Sequence, residues 1–427
     1  MIRQLVVLLV LVVATAGPAA ELGSKVYIGG FVSQGYLNSE DNNYLMPRAR
    51  DGSGEFNEAA LIVSAEPLDR VRVGIQLLGR DFGTRERSAV TVDWAYGEYH
   101  WRDQLGLRAG KIKLPYGFYN QSRDVDMLRT SVLLPQSVYS EIDRELLIAY
   151  EGVGLYGNLM IGSLGDLDYE VSFGSLNIPE SGHADTERMF RAAGLAAEDG
   201  VAEYVADQYG LPAENATATL ARIEDLELAV PWILGGSVIW NTPVNGLRVG
   251  STYMEGDAEA SAFYRYDVQV DQGTTVPAYV PYTQDVAVDL DLNEIFTGSL
   301  EFHRNHWTLA SEFSRQRMGK ITSIGWYAGV DYRLNKHWAF QSYFSSFIPD
   351  DTDRNGDDFE AVGLPDYYAW QNDLALAVRA DINDFWLIKF EYHHMDGAAL
   401  ADKVDLPEGE VAQQRWRVWT AKTTFHF

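Results

Sequence analysis

Cysteine is absent from the 427 residues, which removes disulfide staples, zinc–thiolate centres and thiol nucleophiles. Basic residues are scarce: 34 Lys and Arg stand against 61 Asp and Glu, a formal net charge of −27. Phosphate contacts need clustered Lys and Arg, so a nucleic-acid partner is excluded. Long apolar runs are also missing. Past the N-terminus no stretch approaches the roughly 18 apolar residues that a membrane-crossing helix requires. There is no G-x-S-x-G, no H-E-x-x-H and no phosphate-cradling glycine loop, so the chain does not read as an enzyme. His393 and His394 are adjacent, and on a strand adjacent side chains point to opposite faces and cannot easily share one ion.

Arg3 precedes an apolar run over 5–14, and Ala14-Thr15-Ala16 supplies small residues for a cleavage site. This is the pattern of a secretory signal peptide over 1–20, cut near 16–20. The run is too short to cross about 30 Å of hydrocarbon. One exported domain is expected over 21–427.

What the mature chain has in quantity is alternation. Val71, Val73, Ile75 and Leu77 alternate with Arg70, Arg72, Gly74 and Gln76; Trp386, Ile388, Phe390 and Tyr392 alternate with Leu387, Lys389, Glu391 and His393. A period of two with one apolar face is the β signature. Sixteen segments of this kind are predicted near 25–37, 55–65, 70–80, 88–100, 105–113, 148–161, 166–176, 232–241, 246–255, 292–304, 307–317, 321–334, 337–348, 369–381, 385–396 and 415–427. Their connections alternate between short turns and long loops over 38–54, 114–147, 177–231, 256–291, 349–367 and 397–414, with a shorter second one at 81–87. Short turns at one end and long loops at the other describe an all-β, 16-stranded antiparallel transmembrane barrel, with periplasmic turns and extracellular loops. Trp94, Tyr96, Trp101, Trp232, Trp240, Trp307, Trp338, Trp370 and Trp386 lie near strand ends and are candidates for interfacial girdles. The last strand ends on Phe427, with Phe425, Ala421 and Trp419 on its face.

The six long loops carry −26 of the −27 charge, 177–231 alone holding 11 acids and 3 bases. The cell-exterior face is therefore expected to be acidic, where divalent cations would bridge it to lipopolysaccharide. The wall is nearly neutral. Its inward positions include Arg70, Arg72, Arg80, Arg108, Arg248, Arg333, Arg379, Lys389 and Lys422, set against Glu58, Asp93, Asp168, Glu170, Glu301, Glu312, Asp331, Asp373, Asp381 and Glu391. An interior of mixed sign suits a water-filled channel.

The connection after the fifth strand opens Gly110-Lys111-Ile112-Lys113-Leu114-Pro115-Tyr116-Gly117, preceded by Ala95-Tyr96 and Glu98-Tyr99. Here the chain resembles the Gram-negative outer-membrane porins, and the Gly-x-x-Lys-x-Pro-x-Gly stretch is similar to that of the phosphate-selective branch. The resemblance implies sixteen strands, a third loop (114–147) folded inward to constrict the pore, and a homotrimer. Asp124, Asp126, Glu141 and Asp143 on that loop would face Arg70, Arg72, Arg80 and Arg108 on the wall, with Arg123, Arg129 and Asp93 as further candidates for the pore lining. Opposed charges across a narrow lumen would orient dipolar solutes and filter ions. Alternatively these groups pair and stiffen the wall. With 5 acids against 3 bases on the loop, weak cation preference is expected rather than phosphate selectivity.

Two further segments stand out. Asp351, Asp353, Asn355 and Asp357 surround Gly356 as in the front half of a D-x-D-x-N-G calcium loop, although Val362 occupies the closing position;. Otherwise this is a solvated acidic loop. Residues 187–209 are Ala-rich, with Met189, Phe190, Ala193, Leu195, Val201, Tyr204 and Val205 at near-helical spacing, so the 177–231 insert is expected to be partly helical;. The function expected is passive diffusion of small hydrophilic solutes and ions through the outer membrane, without a cofactor. Rival readings are a channel selective for an anion or small organic solute, and a non-conducting structural or adhesive barrel.

Overall fold

Period-two segments have one apolar and one polar face, and they satisfy both by pairing edge to edge around a ring. The strands are β1 (Lys25–Glu40), β2 (Ser53–Leu68), β3 (Val71–Asp81), β4 (Arg87–Arg102), β5 (Leu105–Lys113), β6 (Ala149–Met160), β7 (Asp166–Asn177), β8 (Ala216–Asn241), β9 (Leu247–Val270), β10 (Ala278–Arg304), β11 (Trp307–Met318), β12 (Ile321–Arg333), β13 (Trp338–Ile348), β14 (Gln371–Asn383), β15 (Trp386–Gly397) and β16 (Arg415–His426). The structure, a computed structural model, describes residues 25–427 except 47, 83–86, 143, 178–189, 192, 196, 272–277, 404–405 and 407–409. The signal-peptide expectation, Asp143 and Met189 therefore lie outside the described residues.

Each strand runs antiparallel to the next, and β1 pairs with β16 to close a sixteen-stranded barrel. Closure leaves no unpaired sheet edge around the ring. Backbone bonds between Gly30 and Phe427, at 3.1 and 3.2 Å, tie both ends of the sheet together beside the short turns.

All sixteen expected strands are present, but three outgrow their expected limits. β8, β9 and β10 run for 26, 24 and 27 residues. Residues 216–231 and most of 256–291, expected as loop, are instead strand projecting beyond the ring at its long-loop end. The projection is covered on one face by a helix, α1 (Glu198–Gln208). Val201, Ala202 and Val205 of α1 join Phe190 in a core with Ala260, Ala262, Tyr264, Tyr266, Val268 and Val270 of β9. The helix expected in the insert is thus found, with Leu195 and Tyr204 exposed rather than on its packed side.

Around the ring the outward positions Val73, Leu107, Leu155, Phe173, Val238, Leu309, Phe340, Leu376 and Phe390 are exposed and apolar. Trp101, Trp240, Trp307 and Trp338 sit exposed beside the short turns, and Trp386 stacks on Phe425 with centroids 5.4 Å apart. Trp94 and Tyr96 do not belong to this girdle. They face inward, and the Trp94 indole donates to Gln76 Oε1 at 2.7 Å. Trp232 donates its indole N–H to Asp257 at 2.6 Å, and Trp370 precedes β14 at the long-loop end.

The interior is not polar throughout. Leu37, Tyr44, Met46, Phe56, Val132, Leu133, Tyr368, Met395 and Trp416 form an apolar core inside the long-loop half, with Tyr44 edge-on to Trp416 at 5.2 Å. Loops following β1, β13 and β15 fold over the mouth, and Asn42 accepts from Gln413 N at 2.7 Å across it.

Candidate pore constriction

The described residues of 114–147 turn into the lumen and fasten to strands on opposite sides of the barrel. The entry is set by glycine. Gly117 has φ +56°, and a Cβ there would collide with the Tyr139 hydroxyl and lie 2.8 Å from Glu312 Oε1; only glycine takes such a conformation in so tight a space without strain. Past it, inward carboxylates of the wall serve as anchors. Glu312 accepts from Phe118 N at 2.7 Å, Tyr139 OH at 2.6 Å, Tyr327 OH at 2.8 Å and Ser299 OH at 2.5 Å. Glu391 accepts from the backbone N–H groups of Val132 and Leu133. Thr252 donates to Pro115 O at 2.6 Å, Ser137 to Trp326 O at 3.1 Å, and Arg379 to Met127 O at 2.6 Å. Tyr116, Leu134, Val138 and Tyr139 of the loop bury against Met254 and Tyr327.

The charges of the loop are in direct contact with the wall. Asp126 lies 3.0 Å from Lys389 and 3.2 Å from Lys422, accepts from Thr424 OH at 2.6 Å, and lies 3.6 Å from Arg129. Glu141 is held by Arg80 at 2.6 Å and Arg123 at 3.2 Å. Asp124 is held by Arg144 and Lys113, each at 2.7 Å, and Asp93 of β4 meets the same two cations. Arg80 also reaches Glu58 at 3.0 Å. Asp126, Arg123 and Lys389 are all at most 3% exposed. Burial alone would raise the loop carboxyls, but the adjacent cations outweigh it. Glu141 falls to about 2 through Arg80 and Arg123. Asp126 falls below the usual carboxylate range through Lys389 and Lys422, and Asp124 falls through Arg144 and Lys113. Ionised forms win because each charge has lost water but gained countercharges within hydrogen-bond reach.

Of the two expected arrangements, charges opposed across a gap or charges paired against the wall, Asp124, Asp126 and Glu141 take the second. The wall arginines depart from expectation. Arg70 is not a constriction residue: it sits in the turn before β3 with φ +69° and donates to Trp101 O. Arg72 and Arg108 face inward, but their partners are wall carboxylates, Glu98 at 3.3 and 3.0 Å and, for Arg108, Glu170 at 3.1 Å. Alternation in the sequence shows which side of the wall a residue takes. It carries no measure of height along the barrel, which is why Lys389, Lys422, Glu312 and Glu391 were readable as inward but not as loop anchors.

The candidate calcium loop is not assembled. Arg354 Nε binds Asp351 at 2.6 Å, Asp353 is buried, and Asp357 begins a one-turn helix (Asp357–Ala361). Among the described residues no group of three or more His, Cys, Asp or Glu is placed to hold a metal ion. The Arg354 guanidinium, 56% exposed, pairs among the described residues with Asp351 alone.

The two halves of the lumen differ. Toward the long loops it is packed; toward the short turns Arg72, Arg248 and Arg333 remain 44%, 35% and 41% exposed on inward positions, so water reaches that half.

The sequence matches no family model and no curated protein. Solved structures do match. OmpF of Salmonella typhi, in complex with daunomycin, is 8% identical, with 95% of this chain and 98% of that chain covered at a TM-score of 0.55. The outer membrane channel DcaP of Acinetobacter baumannii is 9% identical over 96% and 100% of the two chains, at 0.51. Outer-membrane expressed OmpT of Vibrio cholerae is 10% identical over 95% and 98%, at 0.50. At such identities the likeness is one of fold, and the fold is the sixteen-stranded barrel of Gram-negative outer-membrane porins.

Proposed function

We propose that the protein is an outer-membrane porin, exported by a signal peptide and admitting small hydrophilic solutes and ions by passive diffusion past the 114–147 loop. The observation that carries this is a closed barrel, apolar outside and charged inside, with water reaching the inward arginines of one half. Such a structure can be stable only with its outer face in lipid, because an exposed apolar belt around a soluble protein would aggregate. The buried ion pairs at the loop favour a narrow passage over a wide one, which keeps a solute-selective channel as the second reading. Closeness to the phosphate-selective branch rests on the Gly110–Gly117 motif alone, and a homotrimer is the assembly that the resemblance implies.

Purified protein in planar bilayers tests the reading. Stepwise conductance is the expected result. A barrel that inserts but gives no steps would overturn it and favour the structural or adhesive alternative. The reversal potential in a salt gradient then measures ion preference.

A further inference from the structure

The inward face of β3–β6, on the short-turn side of the constriction, carries aromatic rings where a polar channel wall needs none. Trp94 lies against Gly74, where a Cβ would come within 2.9 Å of the indole, and the Tyr156 ring lies against Gly106 in the same way. The missing side chains let both rings lie flat on the wall. Tyr96 sits 5.3 Å from Trp94, and the Arg108 guanidinium lies 4.0 Å over Tyr156. Beside these rings the polar groups alternate. Glu98 accepts from Arg108 at 3.0 Å and is 3.3 Å from Arg72, and Arg72 donates to the Tyr96 hydroxyl at 3.3 Å. Glu170 completes the set against Arg108 at 3.1 Å. Trp94, Tyr96 and Tyr156 are all half-buried.

We propose that this wall is a subsite for a neutral, ring-shaped polyhydroxylated solute, a pyranose sugar; the inference rests on the porin reading above. Two guanidinium groups balanced by two carboxylates give no reason to prefer an anion or a cation. They do give fixed donors and acceptors a few ångströms apart, which suits vicinal hydroxyls. The Trp94 and Tyr96 rings suit the apolar C–H face of a pyranose, whose burial supplies attraction while the polar groups set orientation; Tyr156, already covered by Arg108, holds that guanidinium in place. The mutual ion pairs hold both arginines in place before the solute arrives, so little side-chain freedom is lost on binding.

The test compares D-glucose with sorbitol, which has similar size and hydroxyl content but no ring, as blockers of the potassium chloride current. Each current is normalised to the same variant without solute. Glucose should reduce the current saturably, and sorbitol should act only through bulk viscosity. Trp94→Ala should raise the half-blocking glucose concentration about tenfold, the value of one aromatic contact of about 1.4 kcal/mol. Equal effects of the two solutes, or no change in Trp94→Ala, would overturn the proposal. So would Trp94-dependent block by benzoate or phosphate in place of glucose, because the ligand class would then be wrong. If no channel opens, the porin reading fails separately, and calorimetric titration of the detergent-solubilised protein with glucose still decides the subsite. Heat lost in Trp94→Ala supports it, and no heat with the unaltered protein overturns it.

Discussion

Asp126 concentrates much of the energetics of the 114–147 loop's attachment in one side chain. It is the countercharge of Lys389 and Lys422, both fully buried, and of Arg129. Removing one member of a buried pair costs about 3–5 kcal/mol, because the remaining charge is left without water or partner. The backbone ladders of the barrel do not depend on Asp126, so in Asp126→Asn the cost falls on the loop. The expected outcome is a loosened loop with larger single-channel conductance, read directly from current steps. Glu141 gives a pH dependence of defined sign. Its carboxyl is depressed from 4.5 to about 2 by Arg80 and Arg123, against the opposing effect of burial. Its contribution to holding the loop is therefore complete above about pH 4.5 and is lost as pH falls through about 2. Conductance should change on acidification across that window, and Glu141→Gln should remove its part of the change.

At the scale of elements, the outer part of the β8–β10 ribbon and α1 share a core of their own, while Val230 and Ala258 at the base of the ribbon pack with the 114–147 loop. The ribbon would expose Tyr264, Tyr266, Val268 and Val270 if the helix were lost. Val205 is 3% exposed in that contact, and a carboxylate there would be buried without a partner, costing at least about 2 kcal/mol. Val205→Asp is expected to release the helix and open residues 198–215 to protease while conductance stays the same. A parallel loss of conductance would show that the unit caps the pore. The acidic loop near Asp353 carries the opposite expectation. Because Arg354 already neutralises Asp351, calorimetric titration with millimolar calcium should give no heat.

For the whole molecule, stability is a matter of closure. Every strand has two neighbours because β16 joins β15 to β1, with Arg417 opposite Glu40 and His426 opposite Phe31. Deleting residues 415–427 would create two long unpaired edges at once, each a row of exposed backbone donors and acceptors. The expected result is loss of the compact, detergent-resistant form on unheated gels, not a smaller barrel. The net charge also acts at this scale. By sequence, most of it belongs to the long connections and the projecting ribbon rather than to the inward positions of the wall.

The sequence by itself determined the barrel. A period of two places one set of side chains outward and the other inward whatever the rest of the chain does, and turn length tells one end from the other. From that follow sixteen strands, the inward side of Arg80, Lys389, Lys422 and Glu391, and the opposite faces of His393 and His394. The same signal ran through Ala258, Ala260, Ala262, Tyr264 and Tyr266, but it was hidden by an acid-rich composition that resembles loop. Only the tertiary structure decided what meets across the lumen. Asp126 and Lys389 lie 263 residues apart, and no local pattern sets the height at which two inward side chains stand. Closure, stagger and the path of one loop fix those heights together. They chose buried pairs over a gap between opposed charges, placed Arg70 in a turn, and set Trp94 and Tyr96 inside the barrel rather than in the girdle around it.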